Sequence, residues 1–88
     1  MIDEVELRQS SFADLDSVGF AVAYILDPDT TPRVGLATVD FSTRAEERIE
    51  LRPGESFQIA GQTWQVAEVR KPAAPDWTVV LRRLGATR

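Results

Sequence analysis

The 88-residue chain contains no cysteine and no histidine. Without cysteine there is no disulfide framework and no thiolate chemistry. Without histidine the commonest general base and the commonest transition-metal ligand are missing. Serine–histidine and cysteine–histidine mechanisms are excluded with them. Basic charge is scarce: 10 Lys and Arg stand against 14 Asp and Glu, for a formal net charge of −4. That argues against a nucleic-acid partner, which demands a basic face, and Arg82, Arg83 and Arg88 near the C-terminus read as a solvated edge. No apolar run is long enough to span a membrane, and the opening MIDEVELRQS lacks the basic and apolar regions of a signal peptide. A cytoplasmic protein without a cofactor is expected. The acidic loop Asp27-Pro28-Asp29 lacks the ligand pattern of a calcium loop and reads as a plain turn. No metal site and no phosphate-binding glycine loop are expected.

What is present is strand and turn chemistry, organised around Ile49 to Arg70. Arg52-Pro53-Gly54-Glu55 has the composition of a type II turn, with Pro53 and Gly54 at its central positions. Phe57 and Ile59 then alternate with Ser56 and Gln58. Gly61-Gln62 reads as a two-residue type II′ hairpin loop, followed by Trp64 and Val66 alternating with Thr63 and Gln65. This turn sets Ile59 opposite Trp64, Phe57 opposite Val66, and Glu55 opposite Glu68. Like charges so placed destabilise a sheet. An intervening Arg52 or Arg70, splaying into water, or retention of a proton on one carboxyl would relieve them. Only the last carries chemistry, with Glu55 and Glu68 as an acid–base pair, and the structural readings are preferred.

Ser17 to Leu26 is the most apolar segment, with Val18, Phe20, Val22, Tyr24 and Leu26 on one face and Gly19, Ala21, Ala23 and Ile25 on the other. It is expected to be a central strand covered on both sides. Arg33 to Phe41 alternates as well, so a hairpin brings Ala23 near Gly35 and Ala21 near Ala37. The ribbon then has one bulky side, carrying Tyr24, Val22, Val34 and Leu36, and one shaved side. A shaved side suits close approach by a second sheet or a partner chain; alternatively it lines a cavity for an apolar ligand. An edge strand is expected from Ile2 to Arg8, a further strand from about Glu47, and a last strand from Asp76 to Leu84 with Trp77, Val79 and Leu81 inward. Ser10 to Asp16 reads as a turn or a single helical turn.

The run of LRPGESF, then GQTWQVAEV, then an apolar strand resembles small uncharacterised proteins of actinomycetes over the C-terminal half. The arginine-rich, lysine-poor composition fits that source. The resemblance implies a small β-protein and assigns no catalytic residue. The expectation is a single all-β domain over residues 1–88, with six to seven antiparallel strands, mostly a meander, curled into a small barrel or a two-layer sandwich. So short a chain supports a modest core that is often supplemented by oligomerisation. The leading functional reading is a non-catalytic binding or assembly module, as a homo-oligomer or with a protein partner. The alternative is a small cofactor-independent enzyme or ligand-binding protein for an apolar small molecule, with Glu55 and Glu68 catalytic and Tyr24, Trp64 and Phe57 lining the pocket. A third is an antitoxin or immunity protein, its acidic charge steering it to a basic partner.

Overall fold

A computed structural model describes residues 4–9, 11–15 and 17–86. Eight strands are present: β1 (Glu4–Arg8), β2 (Ala13–Leu15), β3 (Val18–Leu26), β4 (Arg33–Asp40), β5 (Ala45–Leu51), β6 (Ser56–Ile59), β7 (Gln62–Arg70) and β8 (Thr78–Ala86). They form two antiparallel sheets of four strands, in the orders β1-β8-β7-β6 and β2-β3-β4-β5, and neither closes into a barrel. The two sheets make a sandwich. The chain starts in the first sheet, crosses for the meander β2 to β5, and returns for β6 to β8. The strand missed by alternation is β2, whose three residues are too few to show a period. Ile2 and Arg88 lie outside the described residues.

The core lies between the sheets. Leu7, Trp64, Val66, Val79 and Leu81 from one sheet and Val18, Phe20, Val34 and Leu36 from the other are fully buried. Trp64 stacks edge-on against Phe20 at 4.9 Å between centroids, and Phe20 against Phe57 at 6.0 Å. The Trp64 indole N–H donates to Gln62 Oε1 at 2.9 Å, so the largest core side chain brings no unsatisfied donor inside.

Three local corrections follow from the register. The type II turn is present, with Gly54 at φ +94° and the Glu55 N–H donating to the Arg52 carbonyl at 3.0 Å. The next hairpin loop, however, is Ala60-Gly61. Both residues have positive φ, +52° and +75°, which is a type I′ turn. Phe57 therefore faces Trp64, and Ile59 faces Gln62. In β3 the register slips between Val22 and Tyr24, leaving Ala23 as a bulge. Beyond it Ile25 packs against the core, while Tyr24 turns to the outer side opposite Gly35. Third, β3 is an interior strand, but its outer face is covered only at the Gly19 end: Ala23, Tyr24 and Leu26 are exposed. A second bulge between Val66 and Glu68 switches β7 in the same way and turns Val69 toward the core.

Candidate functional site

The residues singled out by sequence fall in four separate places. Glu55 closes the turn before β6: its Oε1 accepts the Arg52 N–H at 2.7 Å, and its backbone bonds Val66. Glu68 sits on the outer face of the β1-β8-β7-β6 sheet, opposite Val80, and accepts from Arg70 Nε at 2.8 Å. The expected Glu55–Glu68 pairing does not form. The hairpin is shifted by two residues, which places Val66 across from Glu55. Trp64 is buried in the core. Phe57 is half-buried at a cleft between the sheets. Tyr24 lies on the outer face of β2-β3-β4-β5, away from both. The register thus does not set Glu55 opposite Glu68, and Tyr24 lies apart from Phe57 and Trp64, which face each other across β6 and β7.

What the fold does assemble is that outer face. The β3–β4 ladder sets Ala21 beside Ala37 and Gly19 beside Val39. Side chains from elsewhere roof the two glycines. A Cβ on Gly19 would meet Phe12 at 2.5 Å and Phe41 at 3.0 Å, and one on Gly35 would strike the Tyr24 ring. Phe12 and Phe41 contact each other edge-on at 6.3 Å, yet they remain 58% and 46% exposed. The result is a saddle: aromatic knobs at one end, Tyr24 at the other, and alanines between. Leu26 adds a further exposed apolar side chain.

A charged rim borders the saddle. The β4–β5 register places Glu46 beside Val39, Arg48 beside Ala37 and Glu50 beside Gly35. Glu50 accepts the Tyr24 hydroxyl at 2.7 Å and lies 3.4 Å from Arg33, which also bonds Asp27 at 2.9 Å. The bond to Glu50 holds the Tyr24 phenol above its ordinary pKa, so it remains a donor at neutral pH. Glu46 and Arg48 make no ion pair among the described residues. Alternation identified the alanines and glycines, but not the rim, because the register of β5 is invisible without the turn that precedes it.

The cleft at Phe57 lies where the two sheets part between the edge strands β5 and β6. It has a volume of about 180 Å3. Among the described residues no group of three metal-ligating side chains occurs, and no helix is long and apolar enough to cross a membrane. Neither the curated proteins nor the solved structures provide a match to this chain. The sequence does match a family of unknown function, DUF6406, over residues 2–85. A match of that extent, spanning both sheets and the saddle, makes this chain a member of the DUF6406 family.

Proposed function

We propose that the chain is a non-catalytic assembly module that pairs with a second copy of itself through the outer face of β2-β3-β4-β5. The observation that carries this reading is the exposed saddle of Phe12, Phe41, Val39, Ala21, Ala37 and Tyr24. A four-strand face of this length is about 19 Å by 27 Å, or roughly 500 Å2. Two such faces would bury roughly 1,000 Å2, the lower bound for a specific interface.

Its chemistry favours a second copy over an unrelated partner. An isologous contact requires that residue i meets j while j meets i. A two-fold axis crossing the strands midway between the Val39 and Ala37 rows would lay the phenylalanines of one copy on the alanines of the other. The same axis would set Glu46 against Arg48 twice. Knobs would meet hollows and unlike charges would meet at the rim. A cytoplasmic, actinobacterial setting is part of the same proposal and rests on composition alone, nine of the ten basic residues being arginine.

Sedimentation equilibrium over a wide concentration range tests the reading. A dimer fraction that rises with concentration is expected, and Ala37→Glu should abolish it without unfolding the protein. A monomer at all concentrations would remove the proposal.

A further inference from the structure

The inter-sheet cleft is independent of the saddle, on the opposite face of the same sheet. Its origin is a gradient along β4 and β5. Facing pairs run Val34–Leu51, Leu36–Ile49, Thr38–Glu47 and Asp40–Ala45, from apolar to polar. Only the first two contribute to the core; in the next two rows Phe20 and Val18 of β3 remain buried, but Thr38, Glu47, Asp40 and Ala45 offer no large apolar side chain to fill the space beside β6. The turn at Pro53-Gly54 joins β5 to β6, and the cleft lies toward the other end of this strand pair, at Ala45 and Ala60.

The walls differ in character. Ile49, Phe57 and Ile59 supply an apolar side, while Thr38, Asp40 and Glu47 supply a polar one. Thr38 is only 6% exposed, its hydroxyl has no hydrogen-bond partner among the described residues, and it lies in the inward-facing row of β4 that lines the cleft. Glu47 likewise has no partner among the described residues. Asp40 Oδ1 accepts from the Ser42 N–H at 3.0 Å and from Ser42 Oγ at 2.6 Å, which fixes the carboxylate. No lysine or arginine lines the cleft.

We propose that this cleft binds a small primary amine carried on a short alkyl or aryl body. An ammonium offers three donors and no acceptor. The polar lining presents two carboxylates, one hydroxyl and the Gln58 amide, every one able to accept, and only the amide and hydroxyl able to donate. The apolar wall accommodates the body: an engineered cavity of about 150 Å3 holds benzene, and this one is slightly larger. Carboxylic acids are excluded by like charge.

The test is a titration of the full chain, followed by amide and methyl NMR shifts, with three probes of one shape. 2-Phenylethylamine should shift Thr38, Ile49 and Ile59 with a millimolar or tighter Kd, as suits so few heavy atoms. 2-Phenylethanol should bind about tenfold more weakly and 3-phenylpropanoate not at all, since a charge-assisted contact contributes about that factor. Glu47→Gln should cost the amine about tenfold in affinity while leaving the alcohol unchanged. Glu47 is exposed and its side chain makes no hydrogen bond or ion pair among the described residues, so this variant should fold as the parent does. If the amine moves no resonance at 10 mM (about tenfold above a millimolar Kd), or if the alcohol binds as well as the amine, the inference is overturned. The oligomeric state plays no part in this readout, so its failure would leave the assembly reading standing.

Discussion

Ala60 holds a left-handed backbone, φ +52°, that costs an L-residue with a Cβ about 1–2 kcal/mol. It is tolerated because the type I′ turn it completes places Val66 across from Glu55, where the Val66 N–H bonds the Glu55 carbonyl at 3.0 Å. Asn-Gly is the preferred dipeptide for this turn. Ala60→Asn should therefore stabilise the protein by about 1 kcal/mol, a rise in Tm of roughly 5 °C for a chain of this size. Gly61→Ala should cost about as much, through backbone strain alone, since a Cβ there meets nothing within 4 Å. Thermal melts of both variants check the pair. The Pro53-Gly54 turn was legible from composition; the Ala60 turn was not. A shift of two residues leaves every side chain on its own face, so hydrophobic alternation cannot tell the two registers apart. A second effect at this scale concerns pH. The Ser42 hydroxyl and amide hold the Asp40 carboxyl below its ordinary pKa of about 3.9. With a depressed folded pKa, the stabilisation is present above the unfolded value and is lost as pH falls through the folded one. NMR titration should place Asp40 below about 3.9, and Ser42→Ala should raise it. An unchanged midpoint would assign the shift elsewhere.

Among elements, the bulges at Ala23 and between Val66 and Glu68 decide which side chains reach solvent. Without the slip at Ala23, Tyr24 would point inward with Val22, as alternation through Val18 to Leu26 suggests; with it, Tyr24 covers Gly35. Nothing in the apolar run marks Ala23, because every residue around it is also apolar. The face of small residues was therefore readable, but not the aromatic ring laid across it. Gly35→Ala should drive the ring off and break its bond to Glu50, at a cost of about 1–3 kcal/mol, as overpacking does. In a Tyr24→Ala background the same change should cost far less, because the clash is gone. A double-mutant cycle by chemical denaturation measures the difference. Additive effects would mean that Tyr24 does not rest on Gly35.

At the scale of the whole molecule, the dimer proposal makes a charge prediction of its own. If Glu46 of one copy meets Arg48 of the other, reversing either alone sets like charges together across the axis. Arg48→Glu should weaken association, and Arg48→Glu with Glu46→Arg should restore it. Sedimentation of the three proteins at low salt, where exposed charges are least screened, gives the cleanest contrast. The all-β, antiparallel class was legible in the alternating strands and turn residues; the choice of two sheets over a closed barrel was not. The scatter of Glu55, Glu68, Trp64, Phe57 and Tyr24 was not, because it depends on which strand edges meet. The cleft residues Thr38, Asp40 and Glu47 were missed for the same reason: they are joined only by the β4–β5 ladder.

The pairing of β1 with β8 bears on how the chain is made. Glu4 and Arg82, which bond each other across this pair, are 78 residues apart in sequence. At about 5–20 residues per second, the ribosome delivers β1 some 4 to 16 s before its partner. The meander β2 to β5 completes its own hydrogen-bonded ladders and waits only for packing, whereas β1 must wait with its hydrogen-bonding edge unfilled. A late stop codon that removed β8 would strip β1 and β7 of their shared neighbour at once and leave two bare edges in one molecule. Nascent and truncated chains are thus the forms most prone to stick to one another, and a chaperone that shields β1 during synthesis would act where the protein is most exposed.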